Sequence, residues 1–483
     1  MTKPTQDEDV TPVARLPDQI WQWDAADMAA HIRLGTISSR EAVESCHERI
    51  DAVNPRLNAI VFADRQRALQ AAADADGQVR SLEHLGPLHG VPVTIKLNVD
   101  VEGEATTNGV PAFAERIAPA DSTVVSNLRK AGAINIGRTN TPPFSFRWFT
   151  ENPLHGRTLN PWNDRVTSGG SSGGAGVSVA AGMCPLAHGT DIAGSIRYPA
   201  YVNGLVGLRA TPGRIPAFHP TTGLRLLGLQ TMSAQGPLAR RIRDVRLGLV
   251  AMSRADRRDP MWVPAQMDYP DDSAPVRVAL VDAIPGSSLA PAIKTALDKS
   301  ARLLEAAGYV VELATPPGLV EGVEIWQSIV MTEARIGMFA GVKAIGDGVI
   351  EHSVANMLAG APEMDLEGYA LAIARRDRLR RRWNEFMIRY PLILMPTSAR
   401  LPMMWGEDLG TTEDMKRVLV DQSPLITVAA LCLPGLNVPT GVVDGLPTGV
   451  QLVADSYREQ RLLAAGEVIE REVQMPICII ASE

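Results

Sequence analysis

Apolar positions recur at helical spacing from Trp21 to Val53. Within that span Ser38-Ser39-Arg40-Glu41 reads as a capping box that opens a helix running through Ile50. An alanine-rich amphipathic helix is predicted over Ala63–Arg80. The pattern then switches: a turn at Gly86-Pro87 leads into Val91-Pro92-Val93-Thr94-Ile95, a short β-type run closed by Lys96. Further helices are predicted over Ser122–Ala131, Arg240–Ser253, Ala290–Ala307 and Glu459–Glu472. Strands are predicted over Ile134–Gly137, Gly204–Arg209, Val276–Asp282, Val310–Leu313, Leu392–Pro396 and Gly449–Ala454. The segment Thr139–Trp162, rich in Pro, Asn and aromatic residues, reads as a loop, and Glu321–Arg389 as mostly helical. Strands that alternate with helices imply an α/β architecture: a central mixed sheet covered by helices on both faces.

Length and charge narrow the picture. At roughly 150 residues per domain, 483 residues allow about three domains or one large α/β unit. A polar, proline-bearing stretch at Arg254–Pro275 is the one modest boundary. The pattern is read as a loose tail over 1–20 and a single domain over 21–475, with a variable, mostly helical region at about 321–390. A net charge of −7 and a basic cluster, Arg375–Arg382, that falls on a helical face argue against nucleic acid as a partner. The polar N-terminus has no apolar signal-peptide centre. The uncharged run Leu425–Val443 contains Pro434, Asn437 and Pro439, which suit buried strands and turns better than a membrane span. The expected location is therefore cytoplasmic, with no membrane contact, and a homodimer is left open. The four cysteines have no CxxC spacing and are expected as buried free thiols. The eight histidines form no metal-ligand spacing, so neither a metal nor a cofactor is called for.

The chemistry concentrates in Thr167–Arg197. Four glycines and two serines occupy 169–174, and the small, uncharged run Ala175–Gly182 follows directly. That run suits a tightly buried element, which rules against a flexible linker. Glycine at this density implies special backbone geometry or close approach of backbone amides to a ligand. Gly169-Gly170-Ser171-Ser172-Gly173 formally matches the G-x-S-x-G nucleophile elbow, with Asp191 and His219 as conceivable partners. Both lie too soon after the serine for strand-end loops of that fold. No Gly-Lys-Ser/Thr follows, so the stretch is not a phosphate loop either.

Three motifs in order, Gly90-Val-Pro-Val-Thr-Ile-Lys96, Gly169–Gly174 and Gly189-Thr-Asp-Ile-Ala-Gly-Ser195-Ile-Arg197, resemble the amidase signature family of hydrolases. The spacing agrees with it: 75 residues separate Lys96 from Ser171, and 24 separate Ser171 from Ser195. Gly137-Arg-Thr-Asn140, Thr150-Glu-Asn152, Asn160-Pro-Trp162 and Gly445-Leu-Pro-Thr-Gly-Val-Gln-Leu452 extend the resemblance over about 25–472. It implies an amidase cleaving a carboxylic amide C–N bond through an acyl-enzyme, on a small-molecule amide. Ser195 would be the nucleophile, Ser171 a bridging serine after a cis peptide bond, and Lys96 the base. Backbone amides of Ile192, Ala193, Gly194 and Ser195 would form an oxyanion hole, and Ser145 would face the substrate. Gly169, Gly170, Ser172, Asp191 and Arg197 would support the loops. Independently, a serine hydroxyl needs an adjacent base, and a lysine becomes one only when burial lowers its pKa from about 10.4.

Leu97, Ala193 and the segment Thr427–Gly435 depart from the family pattern. Specificity is expected from the loop Ser145–Glu151 and from the helical region that holds Trp326, Met331, Met338, Phe339 and Met357, which suits an apolar or aryl substrate. Two other readings stand beside the free amidase. One is the glutaminase subunit of a tRNA-dependent amidotransferase; the other is a catalytically idle binding member of the family.

Overall fold

The computed structural model describes residues 16–81, 85–221, 223–268, 275–473 and 475–478. Most of the expected tail, and His84, lie outside the described residues; Ile20–Gln22 already forms a helical turn. The strands in chain order are β1 (Ile60–Phe62), β2 (Pro92–Lys96), β3 (Ile134–Thr139), β4 (Glu151–Asn152), β5 (Gly156–Arg157), β6 (Leu186–Asp191) and β7 (Val206–Arg209). Then follow β8 (Ala234–Ala239), β9 (Arg277–Leu280), β10 (Val310–Leu313), β11 (Leu392–Pro396), β12 (Gly435–Val443) and β13 (Leu446–Ala454). Eleven of them build one sheet in the order β1-β3-β2-β6-β8-β7-β12-β13-β11-β9-β10, and β4 pairs with β5 as a small hairpin. The sheet is mixed: β2 lies parallel to β3 and β6, β9 is parallel to β10 and β11, and the pairs between β6 and β11 are antiparallel.

The expected α/β architecture holds, and most predicted elements fall within a few residues of their positions. The capping box at Ser38 and Glu41 is formed, and its helix runs on to Leu57. The sequence pattern did not reveal β1, β6 or β8. The runs Leu-Ala-His-Gly-Thr-Asp and Ala-Gln-Gly-Pro-Leu-Ala have neither β-propensity nor alternation, and Pro237 argues against a central strand. Both runs nevertheless sit in mid-sheet, where burial on both faces decides. The Leu425–Val443 run needs correction as well: Ser423–Ala430 is a fully buried helix with proline in its first turn, and only Gly435–Val443 is a strand. The Arg375–Arg382 face lies on the Leu366–Arg389 helix, where Arg375, Arg378 and Arg382 pair with Glu321 or Glu324.

This topology brings the chemistry together. Because β2 and β6 are parallel, their carboxyl ends lie at one edge of the sheet. Lys96 closes β2, and the Asp191–Ser195 turn leaves β6 at the same edge. The fully buried helix Gly173–Ala180 packs on both strands and presents Ser171 and Ser172 at its entrance.

Candidate active site

Lys96 Nζ donates to Ser171 Oγ at 2.7 Å and to Thr190 Oγ1 at 2.9 Å. Both Lys96 and Ser171 are completely buried, and Ser195 is nearly so. The Gly170–Ser171 peptide bond is cis. A side chain at Gly170 would sit 2.3 Å from the Arg147 carbonyl oxygen, so only glycine fits there. Ser172 N–H donates to the Ser195 carbonyl at 3.3 Å, which holds the two serine-bearing segments side by side. Thr190 and Asn98 escaped the sequence reading. Asn98 Nδ2 donates to Thr190 Oγ1 at 3.0 Å, so the threonine hydroxyl accepts from both and fixes the amine. Only the register of β6 against β2 brings it there.

Burial lowers the Lys96 amine well below its ordinary pKa, and the Asp191 carboxylate offsets this only in part. Asp191 is itself bound up in supporting the turn. Burial would raise its carboxyl, but Arg197 and Arg209 bring it down to about 2. Arg197 grips both Asp191 oxygens at 3.0 Å and reaches Gln451 Oε1 at 2.6 Å and the Leu425 carbonyl at 2.9 Å. Asp191 also accepts from Gly194 N–H at 2.8 Å and Ile196 N–H at 3.2 Å. Of the backbone donors expected to meet a substrate oxygen, that of Gly194 is therefore already engaged. Two indoles hold the turn from the other side: Trp326 Nε1 donates to the Ile192 carbonyl at 2.9 Å, and Trp148 Nε1 to that of Ala193 at 3.1 Å. Gly194 has φ +100, and a side chain there would meet Leu425 at 2.8 Å.

These groups open on a cavity of about 570 Å³ whose wall includes Ser171, Ser195, Ile192, Phe144, Ser145, Phe146, Leu226, Val330, Glu333 and Met338. Ser145 lies next to Phe144, and both residues have positive φ without being glycine, a conformation costing on the order of 1–3 kcal/mol each. Ser145 Oγ donates to Asn108 Oδ1 at 2.7 Å, which anchors the turn. Of the expected apolar side chains, Met338 lines this cavity, while Trp326 and Met357 line a small cleft beside Ser195. Met331 is core. His219 lines the cavity, but among the described residues no hydrogen bond joins it to Ser171 or to Asp191. A larger groove of about 950 Å³, lined by Glu407, Glu413, Lys416 and Arg417, lies apart from the serines.

A buried serine–lysine pair thus lies at the carboxyl edge of a mixed sheet, on the wall of a cavity that a second serine also lines. Residues 41–463 match the family model described as Amidase. An indoleacetamide hydrolase of Bradyrhizobium diazoefficiens is 45% identical over 93% of this chain and 86% of its own length. An acylamidase of Rhodococcus erythropolis is 33% identical over 94% of this chain and 96% of its own. The crystal structure of a bacterial aryl acylamidase of the amidase signature family superposes with a TM-score of 0.81 at 26% identity, covering 93% of this chain and 96% of that one. The chain belongs to the amidase signature family and is a hydrolase acting on amide C–N bonds. Among the described residues no helix is long and apolar enough to cross a membrane.

Proposed function

We propose that the protein hydrolyses the primary amide of an aryl-substituted carboxylic acid, with indole-3-acetamide as the leading candidate, by acyl transfer through Ser195, Ser171 and Lys96. The observation that carries the reading is the 2.7 Å bond from a wholly desolvated Lys96 to Ser171 on the wall of the cavity that also holds Ser195. Neutral Lys96 takes the Ser171 proton as Ser171 takes that of Ser195, and Ser195 Oγ attacks the amide carbonyl. Charge on the carbonyl oxygen is met by the N–H groups of Ile192, Ala193 and Ser195, each such donor contributing about 3 kcal/mol. The proton then returns through Ser171 to the departing ammonia, and water entering at the vacated position releases the acid by the same relay. The aromatic acyl group is supported by the apolar wall of Phe144, Phe146, Leu226 and Met338, and by the 45% identity to a hydrolase named for indoleacetamide.

The test is turnover of indole-3-acetamide, phenylacetamide, aliphatic amides and glutamine by the purified chain alone. Acid and ammonia release from the aryl amides is expected, with kcat reduced by about 10⁴ or more in Ser195→Ala and Lys96→Ala. Turnover that survives Ser195→Ala removes the mechanism. Hydrolysis of glutamine alone would favour the amidotransferase subunit.

A further inference from the structure

Glu333 is a carboxylate in the wrong place for structural convenience. It lies in the cavity wall, 8% exposed, on the short helix Thr332–Arg335. A π-helical turn, Gln327–Met331, precedes it. Such turns shift the helix face by one residue and often mark functional sites. One oxygen, Oε1, is saturated by Gly228 N–H and by the Tyr369 hydroxyl, each at 2.6 Å. Oε2 makes no hydrogen bond among the described residues, and no cation there lies within ion-pair distance of Glu333. The nearby guanidinium groups serve elsewhere. Arg225 donates to the carbonyls of Ala217 and Leu229, and Arg376 to Thr231 Oγ1. Oε2 is thus the one carboxylate oxygen of Glu333 left for a donor that the cavity takes up.

Resting on the aryl-amide reading above, we propose that Glu333 Oε2 receives an N–H donor on the acyl part of the substrate, making Glu333 a specificity-determining residue. Glu333 lines the same cavity as Ser171 and Ser195 and is absent from the small cleft beside Ser195. We assign it to the acyl part of the molecule, on the wall shared with Leu226 and Met338. Gly228 N–H and the Tyr369 hydroxyl hold the carboxylate in one orientation, so the free oxygen is preorganised. A ring N–H and a ligand ammonium are both donors of this class. A site built to accept such a hydrogen discriminates strongly against an isostere that lacks it.

The experiment compares indole-3-acetamide with benzofuran-3-acetamide, in which an oxygen replaces the N–H, and with phenylacetamide bearing a para-aminomethyl group. Dissociation constants are measured by calorimetry on the full-length Ser195→Ala protein with and without Glu333→Gln, and kcat/KM on wild type with and without Glu333→Gln. Glutamine at 333 can still accept from Gly228 and Tyr369 through its carbonyl while turning an amide NH₂ to the cavity. The expected result is about tenfold or more tighter binding of the indole than of the benzofuran. Glu333→Gln should erase the difference, and Tyr369→Phe, which keeps the carboxylate but removes one of the two donors that orient it, should narrow it without abolishing it. A gain confined to the aminomethyl compound identifies the donor as an ammonium and upholds the assignment. Equal binding of all three compounds, or a preference that Glu333→Gln leaves intact, overturns it. The N–H preference in binding without any hydrolysis would count against the proposed reaction and leave the role of Glu333 standing.

Discussion

Lys96 loses its hydration on folding, and Asp191 and His188 are its titrating neighbours among the described residues. Asp191 is ionised, and His188, which burial lowers to about 3, stays neutral. A lysine with a depressed folded pKa binds fewer protons when folded than when unfolded. Its penalty on stability is full below the folded pKa and fades as pH rises towards the free value of about 10.4. Relative to wild type, Lys96→Met is therefore expected to be most stable near neutral pH, with the advantage narrowing as pH rises. Unfolding midpoints of both proteins at about pH 7 and about pH 9.5 check this; a constant difference would mean that Lys96 is not depressed. The resemblance of three motifs singled out Lys96, Ser171 and Ser195 as candidates at this scale, and named Asp191 and Arg197 as braces of the loop. Thr190, Asn98 and Glu333 were not legible there, since nothing local distinguishes them from other polar residues.

At the scale of elements, the turn after β6 is held between Trp148 on one loop and Trp326 at the end of the helix Leu319–Trp326. Pinning the Ile192 and Ala193 carbonyls fixes the peptide planes whose N–H groups point the other way. Trp326 also stacks on Phe146, with ring centroids 6.4 Å apart and an interplanar angle of 19°. Trp326→Phe keeps an aromatic ring there and removes only the N–H donor. Loss of turn geometry should lower kcat about tenfold while KM stays within about twofold. Steady-state kinetics on an amide the wild type turns over decide the matter: a raised KM with unchanged kcat would show that Trp326 merely packs against substrate. Helical periodicity gave the Trp326 segment as helix, but the sequence assigned its indole to general apolar lining. Its hydrogen bond depends on a contact across 134 positions.

On the scale of the molecule, the first long helix, Ala25–Leu34, docks on the helix Ile242–Met252 through a buried carboxylate. Asp244 Oδ1 accepts from Ala26 N–H at 2.9 Å, while Oδ2 has no hydrogen-bond partner among the described residues. Burial, then the nearby Asp24, raises its pKa to about 8, with Arg240 and Arg243 opposing. An acid whose pKa is raised on folding holds its proton longer in the folded state, so stability falls as pH climbs from about 4 to about 8. Asp244→Asn keeps the acceptor for Ala26 and removes the ionisation. It should stabilise the protein increasingly over that range, read as a growing difference in Tm. No gain above neutral pH would show that Asp244 is neutralised by its neighbours instead.

By itself the sequence determined the α/β class, the long amphipathic helices and the three motifs with their spacing, because periodicity, caps and glycine density are local properties of the chain. Only the tertiary structure decided that Leu186–Asp191 and Ala234–Ala239 are central strands, since their pairing comes from partners and burial rather than propensity. It alone brought Thr190 to the lysine, the two indoles to the turn after β6, and Glu333 to the cavity wall. Those contacts join residues far apart in the chain, and what makes them specific is the desolvation and geometry of the folded site.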